Sequence, residues 1–353
     1  KEDVKKGEII KREVVRTYSP GTLIDENFLD SRKNNFIASV LKDNNKYGFS
    51  YADISTGEFY VTEGNFDEIL CELSKVNPSE LLIKIKPRKI EPLKSVPDEE
   101  PDIEKEIWEN YPYTLISGEL YNEEFTNDGL LEYRIGLKCV NSIINYAKKT
   151  QKNFMPKLDV VKKYSISGHL IMNAKTRESL EINKNLKDGK KYGSLFWAVD
   201  FCKTSMGKRL LASFLNEPLY SINKINKRLD AVEELILNQE KLEKLSKLLE
   251  NSGDISRLSS KLSNGTIAPK ELLSIKATLA IIEDFIEISS SFKSEILKNT
   301  SECEVLLSFR DIIERTIKEE PAVGLRVGGI IKDGANGVLD SIRAEISMVM
   351  DKI

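Results

Sequence analysis

Histidine is almost missing from this 353-residue chain, with His169 its single representative. One imidazole excludes a multi-histidine metal centre and makes any Ser-His-Asp triad depend on that residue, whose neighbours Gly168, Leu170, Ile171 and Met172 read as the start of a packed segment. Cys71, Cys139, Cys202 and Cys303 are far apart and form no Cys-x-x-Cys pair, so neither a zinc site nor a disulfide framework is indicated. Reduced, buried thiols in a cytoplasmic protein are expected. No apolar run approaches the roughly 20 residues that cross a bilayer, and the first residues, Lys1 to Gly7, hold no signal-peptide core. A Gly-x-x-x-x-Gly-Lys-Ser/Thr phosphate loop is also lacking; Gly324 to Gly329, followed by Gly334 and Gly337, has neither the lysine nor a preceding strand and reads as turns. Nor does charge of one sign dominate: 53 basic against 56 acidic residues leave a formal net charge of -3. That balance argues against the chain alone gripping a long stretch of phosphate backbone, while leaving room for a local basic patch.

What is present is apolar side chain, 40% of the residues, enough for sizeable cores in two or three domains. The chain starts without Met and stops at Met350-Asp351-Lys352-Ile353 inside a helical pattern, so it is expected to be a piece of a longer protein. The stretch Tyr192–Asp230 is its clearest organising feature. Met206, Leu210, Leu211, Phe214 and Leu215 share one helix face, with Lys208 and Arg209 expected to point away from it. Pro218 ends that helix, and Ser221 is placed to cap a second whose stripe is Ile225, Leu229, Val232 and Leu235. That second helix is expected to reach about Leu249, with a flaw near Asn238, and to be roughly 40 Å long.

Upstream, residues 1–20 carry mixed charge and end in the turn signal Tyr18-Ser19-Pro20-Gly21-Thr22, with a short helical turn expected around Asp25–Leu29. Alternation from Phe36, a polar turn at Asp43–Lys46, a run from Tyr47 to Ile54 and a third run from Glu58 to Glu63 predict a three-stranded antiparallel meander. Phe66, Ile69, Leu70 and Leu73 have helical spacing, and Glu80–Ile85 reads as a fourth strand, giving a small α/β domain. Between Pro87 and Pro112, the acidic run at Pro97–Asp102 reads as a solvated loop, with helix only at Ile103–Trp108. From Leu130 onward the pattern is helical, with faces at Leu137, Val140, Ile143, Ile144 and Ala147, at Asn173–Ile182, after Pro269, and at Val305 to Ile313.

Two candidate sites emerge from the α/β region. Asp53 ends a strand, with Glu58 and Glu63 on the next, an arrangement that could begin a two-metal nuclease centre, although no further carboxylate completes it. Phe66-Asp67-Glu68 pairs an aromatic ring with a carboxylate, yet Phe66 lies on the same face as Ile69 and Leu70 and so reads as core.

The ordered blocks Lys11-Arg12-Glu13-Val14-Val15-Arg16 with Ser19-Pro20-Gly21-Thr22, Tyr51 to Phe59, Pro78 to Ile83, Thr176 to Ile182, Tyr192 to Leu235, Asp254 to Leu258 and Glu319-Glu320-Pro321 together resemble the MutS family of DNA mismatch-repair proteins over nearly the full chain. The resemblance implies a multidomain α/β plus all-α segment. Residues 1–20 would lead from a mismatch-reading domain, 21–128 would be a ribonuclease-H-like connector, and 129–353 an all-α core or lever cut before the clamp. It places the family's Phe-x-Glu wedge outside this chain, so Phe66 and Glu68 do not inherit it. Asn173 stands where family members commonly have Asp. The implied role is non-catalytic: coupling ATP state to DNA clamping and MutL recruitment within a homodimeric, DNA-dependent ATPase acting on mismatched duplex DNA. No cofactor is expected in this segment, with ATP and magnesium bound by an ATPase domain elsewhere in the parent. Pro218 is the candidate lever elbow. A paralogue acting on branched or recombination DNA, and a ribonuclease-H-like nuclease using Asp53, are the alternatives.

Overall fold

A computed structural model describes residues 17–24, 28–86, 102–122, 128–151, 160–166, 169–302, 306–322 and 328–350. The blocks at 11–16, the turn expected at 25–29 over its first three residues, the acidic run up to 101, Cys303, Val305 and the passage 323–327 lie outside the described residues. The chain divides into two compact units, Lys1–Ser167 with Ile171–Leu180, and Gly168–Leu170 with Glu181–Ile353.

The first unit is built on the expected meander. Strands β1 (Phe36–Asp43), β2 (Lys46–Asp53) and β3 (Glu58–Gly64) pair antiparallel, with Phe36 opposite Asp53 and Asp53 opposite Glu58. Helix α1 (Phe66–Val76) then crosses to β4 (Glu80–Lys84), which joins β1 in parallel. α1 starts on a reciprocal cap: Glu68 N–H donates to the Asn65 side chain at 3.0 Å, and Asn65 N–H donates to the Glu68 carboxylate at 2.8 Å. The short helix α2 (Lys105–Trp108) leads to two strands that the sequence pattern misses, β5 (Tyr113–Ile116) and, after α3 (Arg134–Thr150), the two-residue β6 (Lys162–Lys163). The sheet order is β5-β4-β1-β2-β3-β6.

Helix α3 corrects the expected division at 128/129, because it packs on β1 and β2 of the first unit. Two glycines permit this. A Cβ on Gly48 would stand 2.4 Å from the Ile135 carbonyl carbon, and one on Gly136 would stand 2.6 Å from a Val61 methyl. Helix and sheet backbones therefore meet with no side chain between them. Glu63 fixes the start of α3, accepting from Ile135 N–H at 2.7 Å and Gly136 N–H at 2.9 Å, as a carboxylate at a helix N-terminus is favoured to do. Val140, Ile143 and Ala147 then complete a core with Ile37, Phe59, Val61 and Leu82.

The carboxylate of Glu80, 1% exposed, gathers four donors. Oε2 accepts from Ser19 Oγ at 2.5 Å and Gly21 N–H at 2.9 Å, and Oε1 accepts from Thr114 Oγ1 at 2.6 Å and Tyr146 Oη at 2.8 Å. A Cβ on Gly21 would stand 2.8 Å from that of Ile37 and 2.9 Å from that of Glu80. The unit closes with α4 (Ala174–Ser179), shorter than the expected Asn173–Ile182, because Glu181 takes positive φ. Asn173 caps it, accepting from Thr176 N–H at 2.8 Å, so Asn fills the position where Asp is common in the resembling family. Arg177 anchors it to α1 through the Cys71 carbonyl and Ser74 Oγ.

The second unit is helical: α5 (Leu195–Val199), α6 (Ser205–Asn216), α7 (Ile222–Leu237), α8 (Gln239–Glu250), α9 (Ile255–Ser263), α10 (Pro269–Ser290), α11 (Glu295–Asn299), α12 (Leu307–Thr316) and α13 (Gly337–Met350). α10 is its spine, roughly 33 Å long at 1.5 Å per residue, and it packs against α8, α9, α11 and α12. Ile275 and Leu279 of α10 join Leu258, Ile313, Ile317 and Ile330 in the core.

The single long helix expected after Ser221 is two helices. Asn238 leaves helical geometry at φ -120, ψ 59, and its side chain turns back to donate to the Glu234 carbonyl at 2.7 Å. Ser221 stands at the N-cap without a side-chain cap bond. The expected α6 face is also corrected: Arg209 is buried, while Leu210 and Phe214 are exposed.

Replacing Glu80 with Gln, which keeps the shape but turns one acceptor into a donor facing donors, is expected to lower unfolding stability by about 2–4 kcal/mol. Tyr146→Phe, which removes one donor, is expected to cost about 1 kcal/mol. Urea unfolding measures both.

Candidate functional site

Asp53 is fully buried at the end of β2. One carboxylate oxygen accepts from Asn35 N–H at 2.9 Å; the other accepts from Ser55 N–H at 2.8 Å and Ser55 Oγ at 2.6 Å. Its backbone carbonyl accepts from Thr56 and Gly57 N–H, and Gly57 takes φ 77. Asp53 therefore holds the β2–β3 turn and the start of β1 together, the local role for which Asp is favoured in turns. Glu63, which the two-metal idea would enlist, is occupied by the α3 N-terminus. Among the described residues, no three His, Cys, Asp or Glu side chains gather in a way that could hold a metal ion.

The other candidate residues are also brought to structural positions. Phe66 packs beside the Tyr47 ring at 5.9 Å between centroids, and Glu68 is engaged in the α1 cap. Cys139 is buried, and burial pushes its thiol well above the ordinary cysteine range. Cys71 and Cys202 are half-buried, with the same cause raising both.

In the second unit, Pro218 lies at a stapled corner. Its carbonyl accepts from Leu170 N–H at 2.9 Å, and Leu219 forms an antiparallel bridge with His169. His169 Nε2 stands 3.9 Å from Glu217 Oε2, so the single histidine edges this corner. Asn183 Nδ2 donates to Asn216 Oδ1 at 2.9 Å, holding the end of α6 on its other side.

The start of α6 is fixed by a residue expected to face solvent. Arg209 grips Asp254 with two parallel bonds, Nη1 to Oδ2 at 2.7 Å and Nη2 to Oδ1 at 2.9 Å, with both side chains largely buried. Asp254 is also the N-cap of α9, while Gly253 N–H donates to Thr278 Oγ1 on α10 at 2.8 Å. A Cβ on Gly253 would stand 2.5 Å from Ser274 Oγ and would push that hydroxyl aside. Three helices are locked together within a few residues. No local pattern announces this pair, because its partners are 45 positions apart.

Asp200 is a second charge centre. Burial raises its carboxyl, but Lys191 at 2.8 Å and Lys208 at 3.7 Å outweigh that and hold it below the ordinary range. The loop that Lys191 anchors carries a concentration of lysines: Lys184, Lys187, Lys190 and Lys191 within eight residues. That density was the available signal for it.

Comparison with known proteins gives two family matches in chain order. The MutS domain II family model matches residues 35–159, and the MutS domain III model matches residues 175–353. The DNA mismatch repair protein MutS of Clostridium botulinum (strain Hall) is 36% identical over 343 residues, covering 95% of this chain and 36% of the relative. That of Clostridium tetani (strain Massachusetts) is 34% identical over 347 residues, covering 95% of this chain and 38% of the relative. The chain thus spans little more than a third of the length of these relatives.

Truncating either partner of the buried pair, Arg209→Ala or Asp254→Ala, is expected to cost about 3–5 kcal/mol by stranding the other charge. The double variant is expected to cost clearly less than the two single losses together. A denaturation double-mutant cycle reads the coupling; additive losses would show that the pair does not act as a unit.

Proposed function

The chain belongs to the MutS family, and from that premise we propose that it is the connector and lever segment of a DNA mismatch-recognition ATPase, a non-catalytic piece that carries nucleotide state to the grip on DNA. The observation that carries this reading is the succession of the domain II and domain III matches along a chain whose described residues build an α/β unit and then a helical one. In this reading the first unit is the connector, related in plan to ribonuclease H, and it includes α3 rather than stopping at residue 128. Its surface is where MutL would be recruited. The parent is a homodimer that closes around mismatched duplex DNA, with ATP and magnesium bound outside this segment.

Physical support comes from how the second unit is stiffened. Coupling over distance requires elements that move as bodies between discrete arrangements. The Arg209–Asp254 and Gly253–Thr278 bonds make one body of α6, α9 and α10. The Pro218 corner, stapled to Leu170, then serves as a fixed elbow leading into α7.

Two outcomes test the reading. This chain alone is expected to bind duplex DNA weakly and without mismatch preference at physiological salt; submicromolar, mismatch-selective binding would place the reading function here instead. In the full-length parent, Pro218→Ala is expected to slow ATP-triggered release from mismatched DNA, and unchanged release kinetics would remove the elbow role.

A further inference from the structure

We propose that the loop 183–192 is a contact site for a DNA backbone and favours a single-stranded segment. The inference rests on the mismatch-repair reading above and adds a DNA contact inside the helical unit.

The loop is preorganised around Asn185. Its N–H donates to the Lys190 carbonyl at 2.9 Å, and its carbonyl accepts from Gly189 N–H at 3.2 Å. Its side chain accepts from Asp188 N–H at 2.9 Å and donates to the Tyr192 carbonyl at 2.7 Å. Leu186 N–H adds a bond to Glu181 Oε1 at 2.5 Å. At the base, Lys191 is committed to Asp200 and lies 4.2 Å over the Phe196 ring, so it anchors the loop.

Lys184, Lys187 and Lys190 are exposed on this fixed frame. Lys190 stands 3.3 Å from Asp188, both side chains open to solvent, and such a pair gives way readily to a phosphate. Beyond the lysines, Tyr192 is 69% exposed and leans on Trp197, with ring centroids 4.5 Å apart. Lysines on a backbone that needs no further ordering, beside an exposed ring, match what a nucleic-acid strand offers: a row of phosphates and bases with free faces. A duplex keeps its bases stacked inside and would use only the lysines.

The test is fluorescence anisotropy with labelled oligothymidine and with a duplex of equal length, using this chain and the full-length parent. For three phosphate contacts, the single-strand affinity is expected to fall about 20-fold between about 50 and 200 mM salt. The variant Lys184→Gln/Lys187→Gln/Lys190→Gln is expected to weaken binding at least about tenfold at the lower salt and to flatten the salt dependence. A control with the same charge change on α8, Lys241→Gln/Lys244→Gln/Lys247→Gln, is expected to change binding less than about twofold. Tyr192→Ala is expected to weaken the single-strand complex and spare the duplex. Equal losses in the loop and α8 variants, or none in either, would overturn the inference. If the wild-type parent shows no mismatch selectivity, the functional reading fails; if it is selective while the loop variant keeps its affinity and salt slope, only the loop inference fails.

Discussion

A carboxylate withdrawn from water needs donors on every side, and that requirement at Glu80 shapes the first unit. Its four hydrogen bonds come from three separate parts of the chain: Ser19 and Gly21 from the turn before β1, Thr114 from β5, Tyr146 from α3. Satisfying one side chain therefore fixes where the preceding segment arrives, which strand extends the sheet beyond β4, and how far along the sheet α3 lies. Gly21 is part of the same constraint, since any Cβ there would collide with Glu80 and Ile37. Buried charges are costly unless fully bonded. Displacing any one of these segments thus penalises the arrangement of the others.

The second unit solves a different problem. Its core is small, centred on α10, and apolar side chains such as Leu229, Val232 and Ile236 on α7, and Val338, Ile342 and Ile346 on α13, remain exposed. Dispersion and apolar burial alone define the relative positions of such helices poorly. The bidentate Arg209–Asp254 pair and the Gly253 contact with α10 supply geometric specificity where packing is thin. A planar guanidinium engaging both oxygens of a carboxylate tolerates little rotation, which is a property that lysine could not provide at this position.

Legibility in the sequence followed the range of the forces involved. β1 to β4, α1 and α10 are readable because alternation, helical spacing and Pro269 are encoded within a few residues of each other. β5 and β6 are not, being short edge strands whose pairing is decided by a neighbour distant in sequence. The orientation of α6 was misread for the same reason. Arg209 looks like a solvent-facing residue until Asp254 is brought to it. Asp53 stands out in the sequence, but a strand-end aspartate satisfied by Asn35 and Ser55 and one that begins a metal site share the same local sequence. Only the positions of their hydrogen-bond partners separate them.

The break at Asn238 has a consequence for any lever built from these helices. A single helix from Ser221 to Leu249 would have transmitted rotation at Pro218 across roughly 40 Å as one rod. Instead α7 ends at Leu237, where Asn238 bonds back to Glu234, and Glu234 itself accepts from Lys293 and Ser294 N–H at 2.8 and 2.7 Å. The end of α7 is thereby tied to the start of α11 as well as to α8. In the proposed lever, a displacement arriving along α7 would be divided at this junction, part passing to α8 and part to the segment that follows α10. Two outputs from one input would suit the proposed coupling of separate sites better than an unbroken rod, because each branch can settle in its own packed arrangement.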